Sequence, residues 1–241
     1  MTANSQLVSA KVIQNLARRG LVNISRVPSR EQKIRLTKAF FKRTFDIVFS
    51  ASVLVVFSPL YLILAILIAI SSPGPIFYAQ ERVGKNFKHF KCIKFRTMVV
   101  DADRVLQDML DKCPEKRQEF EDNFKLKDDP RITWIGKFLR ISSLDEFPQF
   151  FNVLKGDMSV VGPRPLVPDE LHKYGSKMDK VLTINPGLTG LWQVSGRNDI
   201  PYPQRVLIDV YYVNHHNWFL DIWIILKTIG VVLFPENNGA Y

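Results

Sequence analysis

The sequence predicts a mainly helical α+β fold that is attached to a membrane. Three observations lead to this prediction. Residues 47–80 are uncharged, two segments at the end of this run and just after it alternate polar and apolar residues as β-strands do, and most of the remaining chain has helical patterns. The 241 residues allow one ordinary domain, or a catalytic domain with a membrane element. The uneven spread of the apolar residues favours the second arrangement.

The net charge of the chain limits the kinds of partner that it is expected to bind. A net charge of +10 suits anionic lipid headgroups, phosphorylated substrates or nucleic acid. The sequence has no finger, knuckle or basic helix-turn-helix pattern, so nucleic acid is not expected as a partner. The two cysteines, Cys92 and Cys113, lack metal-ligand spacing and indicate packing residues in a reducing compartment.

The segment 47–70 has 24 residues without a charge, enough for a straight helix to cross a hydrocarbon core of about 30 Å. The charges on both sides of the segment argue against a single crossing. Residues 1–46 carry ten Lys/Arg against two acids, and residues 81–96 carry six against one. Both flanks therefore favour the cytoplasmic side, and one straight span cannot satisfy both.

A break at Ser58-Pro59 offers an alternative. Pro59 has no N–H for the carbonyl of Val55 and kinks the helix, while the Ser58 hydroxyl is expected to bond the carbonyl of Leu54. Each arm would reach about 17 Å, enough to enter one leaflet and return. The residues alone leave two structures open: a kinked spanning helix and a re-entrant helix-break-helix.

The other elements follow in chain order. Residues 1–40 form a basic tail, expected to be disordered or to lie on the bilayer surface as an amphipathic segment. IFYAQ and FKHFKCIKFRTM predict the strands of a small β-hairpin joined by ERVGKN, with Lys94 and Arg96 on one face. Residues 101–122 and 134–139 have helical patterns, and the Trp and Tyr content of 206–234 is typical of interfacial amphipathic helices.

The stretch 143–165 carries the chemistry. The adjacent acids Asp145 and Glu146 can act as nucleophile, base or metal ligand, and Arg164 between two prolines can offer a planar fork to a phosphate. A purely structural alternative exists, because Ser143 with Glu146 fits a capping box. Arg140 lies five residues before Asp145, where it could either reach the same pocket or form a surface salt bridge.

At this point several ordered blocks resemble one family. FKRTFDI, Ser58-Pro59, KFRTM, the SLDE block through GDMS and GPRP, PGLTGLWQVSGR and DVYYV are similar to the bacterial sugar transferases, the monotopic polyprenol-phosphate phosphoglycosyl transferases. The resemblance covers the chain from about residue 41 to 241. The larger branch of the family has several spanning helices before this part, where only the basic tail stands here, so we expect the short form.

The resemblance implies a membrane protein with three regions: the tail 1–40, a re-entrant helix 41–72 broken at Ser58-Pro59, and a catalytic domain 73–241. The expected location is the cytoplasmic face of the bacterial inner membrane. The expected partners are undecaprenyl phosphate, a nucleotide sugar and membrane lipids, with a homo-oligomer and downstream glycosyltransferases as further candidates.

The resemblance also implies a reaction in which a UDP-sugar, galactose or glucose, gives its phosphosugar to the lipid phosphate and releases UMP. Asp145 would be the nucleophile and Glu146 would hold Mg²⁺. The substrate-binding positions carried over are Lys94, Arg96, Arg140, Arg164, Arg197 and Asp209. Arg96 stands where some relatives carry lysine, so the choice between Lys94 and Arg96 stays open. The competing functions are a conventional glycosyltransferase that releases UDP, and a non-catalytic lipid-binding scaffold.

Overall fold

The computed structural model describes residues 30–123, 126 and 129–233. The chain divides into two units after Thr44, and the described part of the first unit is helical. The helix α1 (Arg30–Val56) begins well before residue 41. Residues 30–40 of the predicted tail thus belong to this helix, and residues 1–29 lie outside the described residues.

The predicted break in the apolar segment is present. Helix α2 (Ser58–Ser71) follows α1 after one residue, and the pair is bent by 62°. Within the described residues no single helix is long and apolar enough to cross a membrane, although the bent pair passes that test when taken together. The two arms are thus neither collinear nor antiparallel.

The chemistry of the break differs in one detail from the prediction. The Ser58 hydroxyl donates a 2.8 Å hydrogen bond to the carbonyl of Val55, not to that of Leu54. Val55 is the residue whose carbonyl Pro59 leaves without its usual N–H partner. The Ser58 hydroxyl therefore replaces the backbone N–H donor that Pro59 lacks, and this hydrogen bond stabilises the bend.

The β-hairpin is confirmed. Strand β1 (Phe77–Val83) pairs antiparallel with β2 (His89–Phe95), with Tyr78 opposite Lys94. The first strand continues into the predicted loop as far as Val83. Residues 81–83 pair with residues 89–91 of β2, and the Val83 amide also donates to the carbonyl of Leu166 at 2.8 Å.

The helical patterns are largely confirmed. The pattern at 101–122 forms two helices, α3 (Ala102–Lys112) and α4 (Pro114–Asn123), because the proline begins a new helix. The short helix α5 (Trp134–Ile141) begins after Thr133, whose hydroxyl accepts from the Gly136 amide at 3.0 Å. The last pattern forms the helix pair α9 and α10, whose bounds are Tyr202–His215 and Trp218–Leu233.

A second sheet was not predicted. After helix α6 (Gln149–Lys155), strand β3 (Ser159–Val161) pairs in parallel with β4 (Gly187–Thr189). The crossover between them carries the one-turn helices α7 (Leu171–Tyr174) and α8 (Met178–Val181). A Cβ on Gly187 would collide with the backbone of Gly162, so the two strands approach as closely as their backbones allow.

Two buried hydrophobic clusters pack the helices and strands together near the segment that contains Asp145 and Glu146. The first contains Val153, Val160, Tyr212 and Ile224 and joins α6, β3, α9 and α10. The second contains Leu64, Ile68, Phe95, Ile135 and Leu139 and joins the apolar helix α2 to β2 and α5. The acidic segment that follows α5 therefore lies where the second cluster meets the hairpin.

Candidate active site

The two adjacent acids lie on a short 3-10 turn, Leu144–Glu146, which we call the carboxylate turn. Helix α5 ends at Ile141, and Ser143 then adopts a left-handed conformation with φ of 57° before the turn begins. The Ser143 side chain makes no capping hydrogen bond. The capping-box alternative is therefore wrong, and the chain reverses here to present both carboxylates.

The turn opens onto a cleft of about 1120 Å³. This cleft brings together seven of the eight residues to which the sequence analysis gave a catalytic or substrate-binding role. They are Lys94, Arg96, Arg140, Asp145, Glu146, Arg164 and Arg197. Residues from the hairpin, helix α5, the carboxylate turn and two separate loops thus converge on a single concave surface.

Lys94 is the closest cation to the carboxylates among the contacts of the described residues. Its Nζ lies 2.6 Å from Glu146 Oε1 and 3.7 Å from Asp145 Oδ2. The side chains are largely shielded from solvent, with 14% of Asp145 and 32% of Glu146 exposed. Of the two basic residues in the open choice, Lys94 is thus the one that contacts the acids.

Burial and charge act in opposite directions on these groups. Burial raises the pKa of Asp145 to about 6, despite the opposing charge of Lys94. Burial would also raise the pKa of Glu146, but the charge and hydrogen bond of Lys94 outweigh it and hold that pKa below its usual value. At neutral pH Glu146 is therefore firmly ionised, whereas Asp145 stays close to its titration range.

Three arginines surround the acids from different elements. Arg140 donates from Nε to the Thr97 hydroxyl at 3.0 Å, which fixes its guanidinium on the hairpin side of the turn. The guanidinium carbon of Arg164 lies 5.9 Å from the centre of the Trp192 ring, within the range of a cation–π contact. Arg197 has φ of 49°, so a left-handed backbone directs it from the loop after β4.

Arg96 lines the cleft, but its guanidinium has other partners. It donates to the carbonyls of Pro73 and Ser72 at 2.8 and 2.7 Å. Arg96 follows the last residue of β2, and its side chain ties the end of the hairpin to the segment after α2. Of the two basic residues predicted on one face, Lys94 therefore contacts the acids, whereas Arg96 binds backbone carbonyls.

Asp209 lies behind the wall of the cleft. Its side chain is fully buried on α9 and accepts a 2.8 Å hydrogen bond from the hydroxyl of Tyr174. Burial raises the pKa of Asp209 to about 7, although the Tyr174 hydrogen bond and the charge of Arg164 oppose this. The predicted direct role in substrate binding does not fit this position, and Asp209 instead supports the packing beneath Arg164.

One wall of the cleft is apolar. It is formed by the C-terminal halves of α1 and α10, together with Phe57 at the bend. Its residues include Phe49, Val53, Phe57, Ile225, Ile229 and Val232. The cleft therefore joins a strongly charged end to an apolar surface.

Several polar residues of the cleft were not predicted from the sequence. Gln80 lines it, and the amide oxygen of this residue accepts a 2.7 Å hydrogen bond from the buried Arg82. Because that oxygen is occupied, the amide N–H groups of Gln80 are the ones available to a ligand. The alternation of β1 could have found it, since Gln80 lies two residues from Tyr78 and therefore on the same face.

The donor set fits Mg²⁺. Mg²⁺ is commonly held by one or two carboxylates together with waters and substrate phosphates. Asp145 and Glu146 supply two carboxylates at an open cleft, and the described residues contain no group of three or more His, Cys, Asp or Glu that could hold a metal alone. A site shared between the protein and a phosphorylated ligand is thus the one these residues suit.

The chain is similar to several known proteins. Undecaprenyl-phosphate galactose phosphotransferase of Salmonella typhimurium is 52% identical over 202 residues, which cover 84% of this chain and 42% of that protein. The exopolysaccharide production protein ExoY of Sinorhizobium fredii is 44% identical over 215 residues, 89% of this chain and 94% of that protein. The UDP-glucose:undecaprenyl-phosphate glucose-1-phosphate transferase of Klebsiella pneumoniae is 36% identical over 227 residues, 89% of this chain and 44% of that protein.

The chain thus spans less than half the length of two of these relatives and nearly all of the third. A family model described as bacterial sugar transferase matches residues 37–235, which include the bent helix pair, the hairpin and every side chain of the cleft named above. On this match and these identities, the chain belongs to the bacterial sugar transferase family.

Proposed function

We propose that the chain transfers a hexose-1-phosphate, galactose or glucose, from a UDP-sugar to undecaprenyl phosphate and releases UMP. The observation that carries the proposal is the cleft itself, in which two carboxylates among basic side chains adjoin an apolar wall. The names of two relatives, which refer to undecaprenyl phosphate, support the choice of acceptor. The first step of exopolysaccharide, capsule or O-antigen synthesis is the expected place of such a reaction.

The proposed chemistry has two displacements at one phosphorus. A carboxylate oxygen of Asp145 attacks the sugar-bearing phosphorus, the bond to the bridging oxygen breaks, and UMP leaves with that oxygen. A phosphate oxygen of the lipid then attacks the same phosphorus, which releases the Asp145 carboxylate and forms the lipid diphosphate sugar. The covalent intermediate lets a soluble donor and a membrane-held acceptor use one cleft in turn.

The surrounding charges have distinct tasks in this scheme. Nucleophile and phosphate are both anionic, so attack requires positive charge close to the phosphoryl oxygens. Lys94, Arg140 and Arg164 come from three different elements and can supply that charge. A bound Mg²⁺, held by Glu146 with Asp145 beside it, would neutralise the diphosphate. The apolar wall offers the polyprenyl chain a surface that continues into the lipid of the cytoplasmic face.

The nucleotide product tests the proposal. Purified protein with UDP-galactose or UDP-glucose, undecaprenyl phosphate and Mg²⁺ should release UMP in proportion to the lipid product. Asp145→Asn should abolish release, whereas Asp157→Asn, a change in an aspartate outside the cleft, should not. Release of UDP would instead indicate a conventional glycosyltransferase, and no turnover with any UDP-sugar would favour a lipid-binding scaffold.

A further inference from the structure

Tyr61 connects the apolar helix pair to the carboxylate turn. It lies in the first turn of α2, and its hydroxyl donates a 2.6 Å hydrogen bond to the carbonyl of Phe147. Phe147 directly follows Glu146 and ends the carboxylate turn. The two hydrogen-bonded residues are 86 positions apart, so this contact joins parts of the chain that local structure cannot hold together.

The ring of Tyr61 makes a second connection. Its centre lies 5.5 Å from that of Phe95 and 6.2 Å from that of Phe147. Phe95 directly follows Lys94, just as Phe147 directly follows Glu146. One side chain of the apolar helix therefore supports the immediate neighbour of each partner in the 2.6 Å ion pair between Lys94 and Glu146.

Neighbouring residues restrict the movement of Phe147 at its contact with Tyr61. Phe57, at the bend of the helix pair, also packs edge-on against Phe147 with ring centres 5.7 Å apart. The carbonyl of Phe147 additionally accepts the Phe150 amide at 3.1 Å, so it is fixed between α2 and the start of α6. Removal of the Tyr61 hydroxyl alone would release one of these two hydrogen bonds without disturbing the ring packing.

We infer that Tyr61 is a positioning residue that sets the separation of Lys94 and Glu146 from within the apolar helix pair. The inference rests on the proposed function for its catalytic consequence, but its structural part does not. In an active site of this kind a small displacement of a charged group lowers the rate of the chemical step more than it lowers substrate affinity. Loosening the turn should therefore lower kcat and leave the KM for the UDP-sugar nearly unchanged.

The test uses Tyr61→Phe, which keeps the ring and removes the hydroxyl, with Tyr211→Phe as the matched control. Tyr211 is exposed on α9, where its ring stacks on His215. The kinetic assays are carried out well below the unfolding temperature of each variant, so that a loss of activity does not reflect unfolding. We expect Tyr61→Phe to lower kcat by about 3- to 10-fold with little change in KM, and the control to match wild type.

Amide hydrogen exchange gives a readout that needs no activity. Tyr61→Phe should speed exchange in a peptide covering 143–151, while peptides of β3, β4 and α9 keep wild-type rates. Unchanged exchange and unchanged kcat would overturn the inference, and so would an effect on KM alone. Wild-type protein that shows no UMP release would refute the proposed function, whereas faster exchange of the turn in the variant would still support the positioning role.

Discussion

The ammonium group of Lys94 lies 2.6 Å from the carboxylate of Glu146, and this ion pair joins the β-hairpin to the carboxylate turn. Burial alone would disfavour the charged form of Lys94, yet the charges of Glu146 and Asp145 outweigh it and raise the pKa of the lysine. The cation therefore stays charged throughout the neutral range, next to both acids. Its position gives the first of the following predictions.

Replacement of Lys94 by Met should abolish most of the transfer activity. In the proposed mechanism the change removes a positive charge close to the reacting phosphate, and it leaves Asp145 and Glu146 without their nearest cation, so we expect kcat/KM to fall by about 100-fold or more. UMP release with saturating lipid acceptor measures the effect. Lys94→Arg, which keeps the charge in a different shape, should retain more activity than Lys94→Met.

Arg96→Met is the informative companion, since Arg96 binds two backbone carbonyls and not the acids. It should lower the unfolding temperature more than Lys94→Met does. If Lys94→Met retained wild-type turnover while Arg96→Met lost turnover without losing stability, the assignment of the two residues would have to be reversed.

The pH dependence of transfer should show an acidic limb. In the proposed mechanism Asp145 must be ionised to attack, and its pKa is raised to about 6 by burial. As the pH falls through that value the carboxylate takes up a proton, so kcat/KM for the UDP-sugar should decline below about pH 6. The folded state must persist over the same range, which circular dichroism can check. A flat profile down to pH 5 would mean that Asp145 is still ionised there, and that burial does not set its pKa in the active protein.

Asp145→Asn should stabilise the fold at neutral pH while it abolishes activity. Because the native pKa is raised, the native state holds its proton between about pH 4 and pH 6, where the unfolded state has lost it. Ionisation of Asp145 therefore costs stability as the pH rises through this window. Removal of the charge should add about 1 to 2 kcal/mol to the free energy of unfolding at pH 7, and almost nothing at pH 4.

Thermal unfolding of the variant at the two pH values makes the comparison. Asp157→Asn is a suitable control, because Asp157 lies outside the cleft with Lys155 3.6 Å away. A destabilised Asp145→Asn at pH 7 would show that Lys94 and Arg140 compensate the buried charge fully.

Asp46 should matter for stability more than for chemistry. Asp46 is buried on α1, and its Oδ1 accepts from the Ser159 hydroxyl at 3.1 Å and from the Val160 amide at 3.0 Å. Asp46→Ala leaves two donors of β3 without this acceptor, and we expect a loss of about 2 to 4 kcal/mol in unfolding free energy. Asp46→Asn keeps an acceptor oxygen and should lose less. Equal effects of the two changes would exclude the hydrogen bonds as the cause.

The topology of the bent helix pair can be tested by cysteine labelling. In a background with Cys113→Ser, single cysteines introduced as Ser5→Cys and Lys85→Cys should both react with a membrane-impermeant reagent from the cytoplasmic side. Cys92 is buried and should stay silent. Labelling of the two positions from opposite sides would mean that the segment crosses the bilayer.

Features that depend on neighbours in the chain were predictable. Pro59 lacks an N–H whatever surrounds it, so the break could be located from two residues. The alternation around Tyr78 and Lys94 likewise predicted the hairpin. The parallel pair of β3 and β4 could not be predicted, because three-residue strands show no period and their pairing depends on a crossover of more than twenty residues.

The site residues also divide into those whose position follows from sequence neighbours and those whose position depends on distant partners. Asp145 and Glu146 stand together in the sequence, and their shared cleft follows from that. The position of Asp209 depends on Tyr174, 35 residues away, and that of Arg96 on carbonyls 23 and 24 residues away. A motif can indicate that a residue is needed near a site, but only the distant partner decides whether it faces the ligand or the packing behind it.

The close approach of Gly162, Gly187 and Gly190 limits how the specificity of this cleft can change. A Cβ on any of the three would meet backbone atoms at the β3–β4 pair, whose Val160, Leu188 and Thr189 form the floor of the cleft. Directed evolution toward another sugar should therefore leave this floor untouched. Productive substitutions are expected on the walls, at positions such as Gln80, Met98 and Gln193, where side chains can change without moving the main chain.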